Sequence, residues 1–238
     1  MAMMTSEEAV KTGRIAGLLY LAIIVLGVSS EVFIRTDLID FSDAVATARN
    51  VSSHTSLMKL SFAADAAMAV CDVALAVLMF QILRPAGHLL ALLGMVFRLT
   101  QAAVLSMNLL NQHIGLMILT GGLPSSGTVA NEDIALALFT AQSHGYDLGL
   151  VFFAMNCLFT GVLIWRAAWM PAWIGAAIVA AGAVYMAGSG LRFLAPEAYA
   201  SFQPAYAIPL AAELSLALWL TIAGIRRNAW PQAEMGGK

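Results

Sequence analysis

An all-α polytopic transmembrane bundle of six spans is the fold class this sequence predicts, and three observations carry it. Hydrophobic residues make up 61% of the 238 positions and charged residues only 11%, with a mean hydropathy of +0.82, well outside the profile of a soluble domain. The apolar residues gather into six stretches, about 15–33, 57–83, 89–119, 146–165, 173–193 and 206–225, of a length suited to crossing a bilayer as helices. The few polar residues inside them keep helical spacing, as expected where a bundle interior is wetter than the lipid around it. The formal charge of −2 supplies no basic surface for nucleic acid. Cys71 and Cys157 sit in separate apolar stretches and build neither a disulfide framework nor a zinc knuckle.

The first span is introduced by Thr5-Ser6-Glu7-Glu8, which matches a capping box and lets a helix begin ahead of the membrane. Lys11 and Arg14 precede the run 15–33. A cleavable signal peptide is the rival reading, but the run is long for a signal core and another membrane pattern follows it. Glu31 and Arg35 close the segment four residues apart and pair if the helix continues. Residues 36–56 are polar and read as an outer loop or flap, in which Ser42 or Asp43 caps a short surface helix through about Val51.

Spans two and three form a hairpin across Arg84-Pro85-Ala86-Gly87-His88. At a rise of about 1.5 Å per residue, Asp72 lies roughly 16 Å from this turn and Arg98 roughly 14 Å, so an Asp72–Arg98 ion pair is expected. By the same count Asp65 and Asn108 both fall about 27 to 29 Å from the turn, which offers Asn108 to Asp65 as a polar partner. Gln101 lies one helical turn beyond Arg98.

Residues 120–133, rich in Gly, Pro, Ser and Thr, read as an exposed loop. Helical periodicity then runs from about Ile134 to Trp165, too long for one upright span, so 134–143 is expected to lie at the interface or extend the helix beyond it. His144 and Asp147 stand at the junction, with Asn156 deeper. Arg166, Trp169, Pro171 and Trp173 mark a turn at headgroup level. The fifth span carries Ala176, Ala180, Ala183 and Ala187 on one face, a small-residue stripe suited to close helix contact. The sixth holds Glu213 near its middle, Arg226 and Arg227 stop it, and the tail to Lys238 is expected to be disordered.

Placing both termini in the cytoplasm collects Lys11, Arg14, Arg84, Arg166, Arg226, Arg227 and Lys238 inside and leaves Arg35, Arg49, Lys59 and Arg192 outside, the bias expected of an inner-membrane protein. The whole chain, 1–238, reads as a single membrane domain.

Several stretches in order, among them Arg14-Ile-Ala-Gly-Leu-Leu-Tyr20, Phe97-Arg-Leu-Thr-Gln-Ala-Ala-Val-Leu105, His144-Gly-Tyr-Asp-Leu-Gly-Leu-Val-Phe-Phe153, Pro171-Ala-Trp-Ile-Gly175, Ala181-Gly-Ala-Val-Tyr185 and Glu213-Leu-Ser-Leu-Ala-Leu-Trp-Leu220, resemble a family of bacterial multi-pass membrane proteins classified only as a domain of unknown function. The resemblance spans about Thr12 to Arg227. It implies a compact helical membrane domain and supplies no activity or catalytic residues.

The polar residues suggest two kinds of site. Asp72, Arg98, Gln101, Asn108 and Glu213 are candidates for the binding or proton-linked translocation of a small amphipathic or lipid-like ligand. In that reading Asp72–Arg98 is the anchor, and Glu213, without a basic partner of its own, is expected to be neutral and to exchange a proton. Glu31, Asp65, His144 and Asp147 are the candidate ligands of a divalent metal ion, with zinc one candidate, in an intramembrane hydrolase. A structural or regulatory membrane subunit is the third possibility. Phosphate loops, paired-Cys motifs and serine nucleophile elbows are absent from the sequence.

Overall fold

The computed structural model describes residues 4–123 and 129–231. The tail expected to be disordered lies outside the described residues from 232 onward, as does part of the 120–133 loop. Six helices are long and apolar enough to cross a membrane: α1 (Ser6–Leu38), α3 (Thr55–Leu83), α4 (His88–Leu119), α5 (Asn131–Arg166), α6 (Ala172–Leu194), and α8 (Ala207–Ile222) with the short α7 (Pro196–Phe202) before it. The remaining helix, α2 (Ala44–Ser53), is short and polar. Burial is inverted relative to a soluble protein. Val70 and Ile222 are 71% and 72% exposed while Asp72, Arg98, Gln112 and Glu213 are buried, an arrangement stable only where lipid covers the apolar side.

Helix ends follow the local chemistry. Thr5 and Glu8 make both halves of the capping box: the Glu8 carboxylate accepts from the Thr5 N–H at 2.8 Å, and Thr5 Oγ1 accepts from the Glu8 N–H at 3.3 Å. The helix therefore starts at Ser6, well ahead of the apolar run. It also continues past that run, through a π-helical turn at Glu31–Arg35, to Leu38. At the far end of α4, Gly121 takes a left-handed φ of 72° and the Gly122 N–H returns to Met117 O at 2.8 Å, the glycine stop that L side chains resist.

The chain packs as two compact units. The first comprises residues 4–22, 71–101 and 150–231. In it α5 and α6 meet backbone to backbone: a Cβ on Gly175 would stand 2.5 Å from Trp165 N and 2.6 Å from Gly161 O. Helices α6 and α8 also pack together. The Arg226 N–H donates to Trp169 O at 3.2 Å, the Trp230 indole N–H donates to Met4 O at 2.9 Å, and Trp230 stands against the Trp169 ring. The Ala176, Ala180, Ala183 and Ala187 stripe faces outward; α6 instead packs through Ile174, Gly175, Ile178, Ala181 and Gly182. Both faces of α6 are apolar and carry small residues, because lipid and protein interior ask for the same polarity, so the stripe alone does not reveal which face is inside.

The second unit comprises residues 23–70, 102–123 and 129–149. Its core gathers Ile34, Leu38, Ile39, Val51, Met58, Leu116, Ala135 and Phe139. The connection after the first span is thus folded onto this core through Val51 of α2. Asp43 caps α2, its side chain accepting from the Ala46 N–H at 2.8 Å. The segment 134–143 continues the α5 helix without a break.

Candidate functional site

The polar side chains form two groups, one in each unit. In the first unit Arg98 of α4 is held by Asp72 of α3: its Nε and NH2 both donate to Asp72 Oδ1, at 2.9 and 2.5 Å. The side chains are 4% and 2% exposed. Both ions are out of water, so removing either partner leaves a buried charge without its directly bonded counter-ion. The third guanidinium nitrogen reaches Asn156 Oδ1 at 3.5 Å, while Asn156 Nδ2 donates to Gly94 O at 2.8 Å. Rings cover the guanidinium, with Tyr20 of α1 and Phe153 of α5 at 4.9 and 5.1 Å from its carbon to their centroids.

Glu213 of α8 is 6% exposed. Its Oε1 accepts from the Tyr185 hydroxyl of α6 at 2.5 Å. Tyr20 interacts with both Glu213 and Arg98, so one phenol joins the ion pair to the second carboxyl. The partners of Glu213 are therefore principally phenols. Gln101 is buried, and its Oε1 meets no hydrogen-bond donor among the described residues. Beside Asn156 and Thr160 a cavity of about 10 Å³ opens, lined also by Ala76, Ala91 and Gly94, room for roughly one water.

In the second unit the centre is Arg35 of α1, which the sequence reading left out of its candidate sites. Its NH1 donates to Ser30 Oγ at 2.8 Å, to Ser61 Oγ at 3.1 Å and to Asp65 Oδ2. Gln112 Oε1 lies 3.5 Å from the same nitrogen. The opposite edge, Nε and NH2, faces Glu31 Oε2 at 2.8 and 2.7 Å. Asp65 thus pairs with Arg35 rather than with Asn108. Asn108 is used elsewhere: its Nδ2 donates to Gln142 O at 2.6 Å and its Oδ1 accepts from Asn111 at 3.0 Å, with Gly145 making room for it. The correction has a backbone cause. Because α1 runs on to Leu38, Arg35 lies inside the helix, and the π turn falls where its side chain turns inward.

The proposed metal set is not assembled. Glu31 and Asp65 are both engaged by Arg35, and His144 Nδ1 donates to Thr140 O at 2.9 Å. Asp147 is buried one turn further along α5. Among the described residues no group of three or more His, Cys, Asp or Glu side chains is placed to hold a metal ion.

Tyr20 and Tyr185 were also missed as site residues. Their signal was position: both fall inside apolar runs, away from the interfacial belts where tyrosines gather. A phenol at such depth needs a polar partner.

Long apolar helices enclosing buried ion pairs define a multi-pass helical membrane protein. Within that class the chain belongs to the family described as Domain of unknown function (DUF4386), whose model matches residues 15–224. It is also similar to an uncharacterized protein of Archaeoglobus fulgidus, 28% identical over 160 residues, a match covering 65% of this chain and 78% of the relative. No solved structure gives a significant match.

Proposed function

We propose that the protein binds a small amphipathic or lipid-like ligand within the membrane and couples its movement to protons through Glu213. The observation that carries this reading is a charge count. Asp72 and Arg98 neutralise each other, while Glu213, buried beside them, is held by the Tyr185 hydroxyl and leaves one carboxyl in excess. An ionised carboxylate surrounded by hydrocarbon is costly. It is balanced either by a proton or by a ligand that satisfies it, and alternation between the two is the elementary step of a proton-linked carrier. Tyr20, in contact with both Arg98 and Glu213, ties the two carboxyl groups into one unit. The buried Gln101 amide oxygen supplies a further acceptor in the same unit of the fold.

Proteoliposomes loaded with a pH-sensitive dye test this reading. The probes are lysophosphatidylethanolamine and tetraphenylphosphonium, added under an imposed pH gradient. Probe-dependent proton movement is expected with the wild-type protein and its loss with Glu213→Gln. Absence of proton movement with both probes, or equal movement in the variant, contradicts the proposal and leaves the buried pair as scaffolding.

A further inference from the structure

Arg35 offers a second site, independent of the first. Its guanidinium has two differently fixed edges. NH1 is locked inside the protein by Ser30, Ser61 and Asp65, all buried. The Nε–NH2 edge is closed by Glu31 alone among the described residues. The Arg35 side chain is 5% exposed and that of Glu31 is 59% exposed. The pair therefore joins a fixed, permanently charged fork to a carboxylate that stands in the surroundings and can swing away. Moreover, a single oxygen, Glu31 Oε2, serves both donors, at 2.8 and 2.7 Å, where a planar fork is matched best by two oxygens of one group. The next residues, Val32 and Phe33, are exposed apolar side chains on the same turn, a surface that acyl chains would cover.

We propose that the Nε–NH2 edge of Arg35 is a binding site for a singly charged phosphate ester, which displaces Glu31 as the outward counter-ion. The exchange replaces one negative charge by another, so Asp65 opposes the incoming anion no more than it already opposes Glu31. Little favourable energy is needed, because an exposed carboxylate gives up an ion pair at small cost and phosphate esters are concentrated at a bilayer surface. The π turn at Glu31–Arg35 sets the offset between the two side chains, in keeping with the frequent use of such turns at functional sites.

The test is native mass spectrometry of the full chain in detergent with added phosphatidylglycerol. Diacylglycerol, which lacks the phosphate, is the control, and free glycerol phosphate, held at about pH 5 where it carries a single charge, is the soluble competitor. Glu31→Ala removes the internal competitor and is expected to raise phosphatidylglycerol occupancy about two- to fivefold. Asp37→Ala, which deletes an exposed charge from the same stretch without touching the fork, is expected to leave it unchanged. Arg35→Lys keeps the charge, loses the fork and is expected to lower occupancy. Competition by glycerol phosphate assigns the site to phosphate esters in general; its failure to compete, with lipid still bound, assigns it to the lipid. Equal binding of diacylglycerol, or no gain in Glu31→Ala, overturns the proposal. Because its decisive variant is a gain of binding at an exposed residue, misfolding cannot imitate the expected result.

Discussion

Neutralising Asp72 separates an interaction that holds the membrane interior together from one that merely occurs there. Arg98 places two N–H groups on one Asp72 oxygen, at 2.9 and 2.5 Å, with the side chains 4% and 2% exposed. Asp72→Asn keeps the shape and removes the only carboxylate bonded directly to the guanidinium among the described residues, leaving the long, neutral Asn156 contact at 3.5 Å and Glu213 at one remove through Tyr20. Loss of one partner from a buried pair costs about 3–5 kcal/mol. Arg98→Gln strands the carboxylate by the same logic and also gives up the stacking against Tyr20 and Phe153, about 0.5–2 kcal/mol. The double variant carries no stranded charge. It is expected to be less destabilised than the sum of the single variants by about 2 kcal/mol or more. The assay is equilibrium unfolding in mixed micelles of a mild detergent and sodium dodecyl sulfate, followed by tryptophan fluorescence. Additivity of the two substitutions to within about 0.5 kcal/mol would refute the argument, because the residues would then not be interacting.

Three further outcomes follow from the geometry. Gly175→Ala forces a methyl group against Trp165 N and Gly161 O and is expected to cost about 1–3 kcal/mol in the same unfolding assay; a change below about 0.5 kcal/mol contradicts the close backbone approach. Asp40 lies outside the spans and accepts from the Ser42 hydroxyl at 2.6 Å and the Ser42 N–H at 2.9 Å, which hold its carboxyl below the usual aspartate range. A lowered folded-state value means that this turn is stabilised above the ordinary aspartate pKa and loses that support as pH falls through the depressed one; a carboxyl-carbon NMR titration is expected to show Asp40 moving back up in Ser42→Ala. Both chain ends are expected in the cytoplasm, so reporters fused at either end should show cytoplasmic activity, and opposite readings at the two ends would contradict an even number of spans.

The fold was largely legible because a bilayer imposes one dominant rule, apolar length, and the six apolar runs satisfy it. The Asp72–Arg98 pair was legible for a related reason. Two residues at similar distances from a short turn must fall at similar depth, and rise per residue alone fixes that. Arg35 was not legible, because hydropathy ends the first span near Phe33 whereas the π turn carries the helix on to Leu38. Once Arg35 is inside, it outcompetes Asn108 for Asp65, since a charged donor is the stronger partner. The alanine stripe misled for the opposite reason: apolar periodicity loses its directional meaning where lipid replaces water. Tyr185 and Tyr20 reach Glu213 from other helices, and no spacing within one segment reveals such a partner.

In the proposed function Glu213 takes up and releases a proton within the membrane. Infrared difference spectroscopy of the protein reconstituted in lipid, recorded while pH is stepped, reads this directly as a change in a carboxylic acid C=O band. A pH-dependent band is expected that disappears in Glu213→Gln and shifts in frequency when Tyr185→Phe removes its hydrogen bond. Spectra of wild type and Glu213→Gln that superimpose across the titration would contradict it.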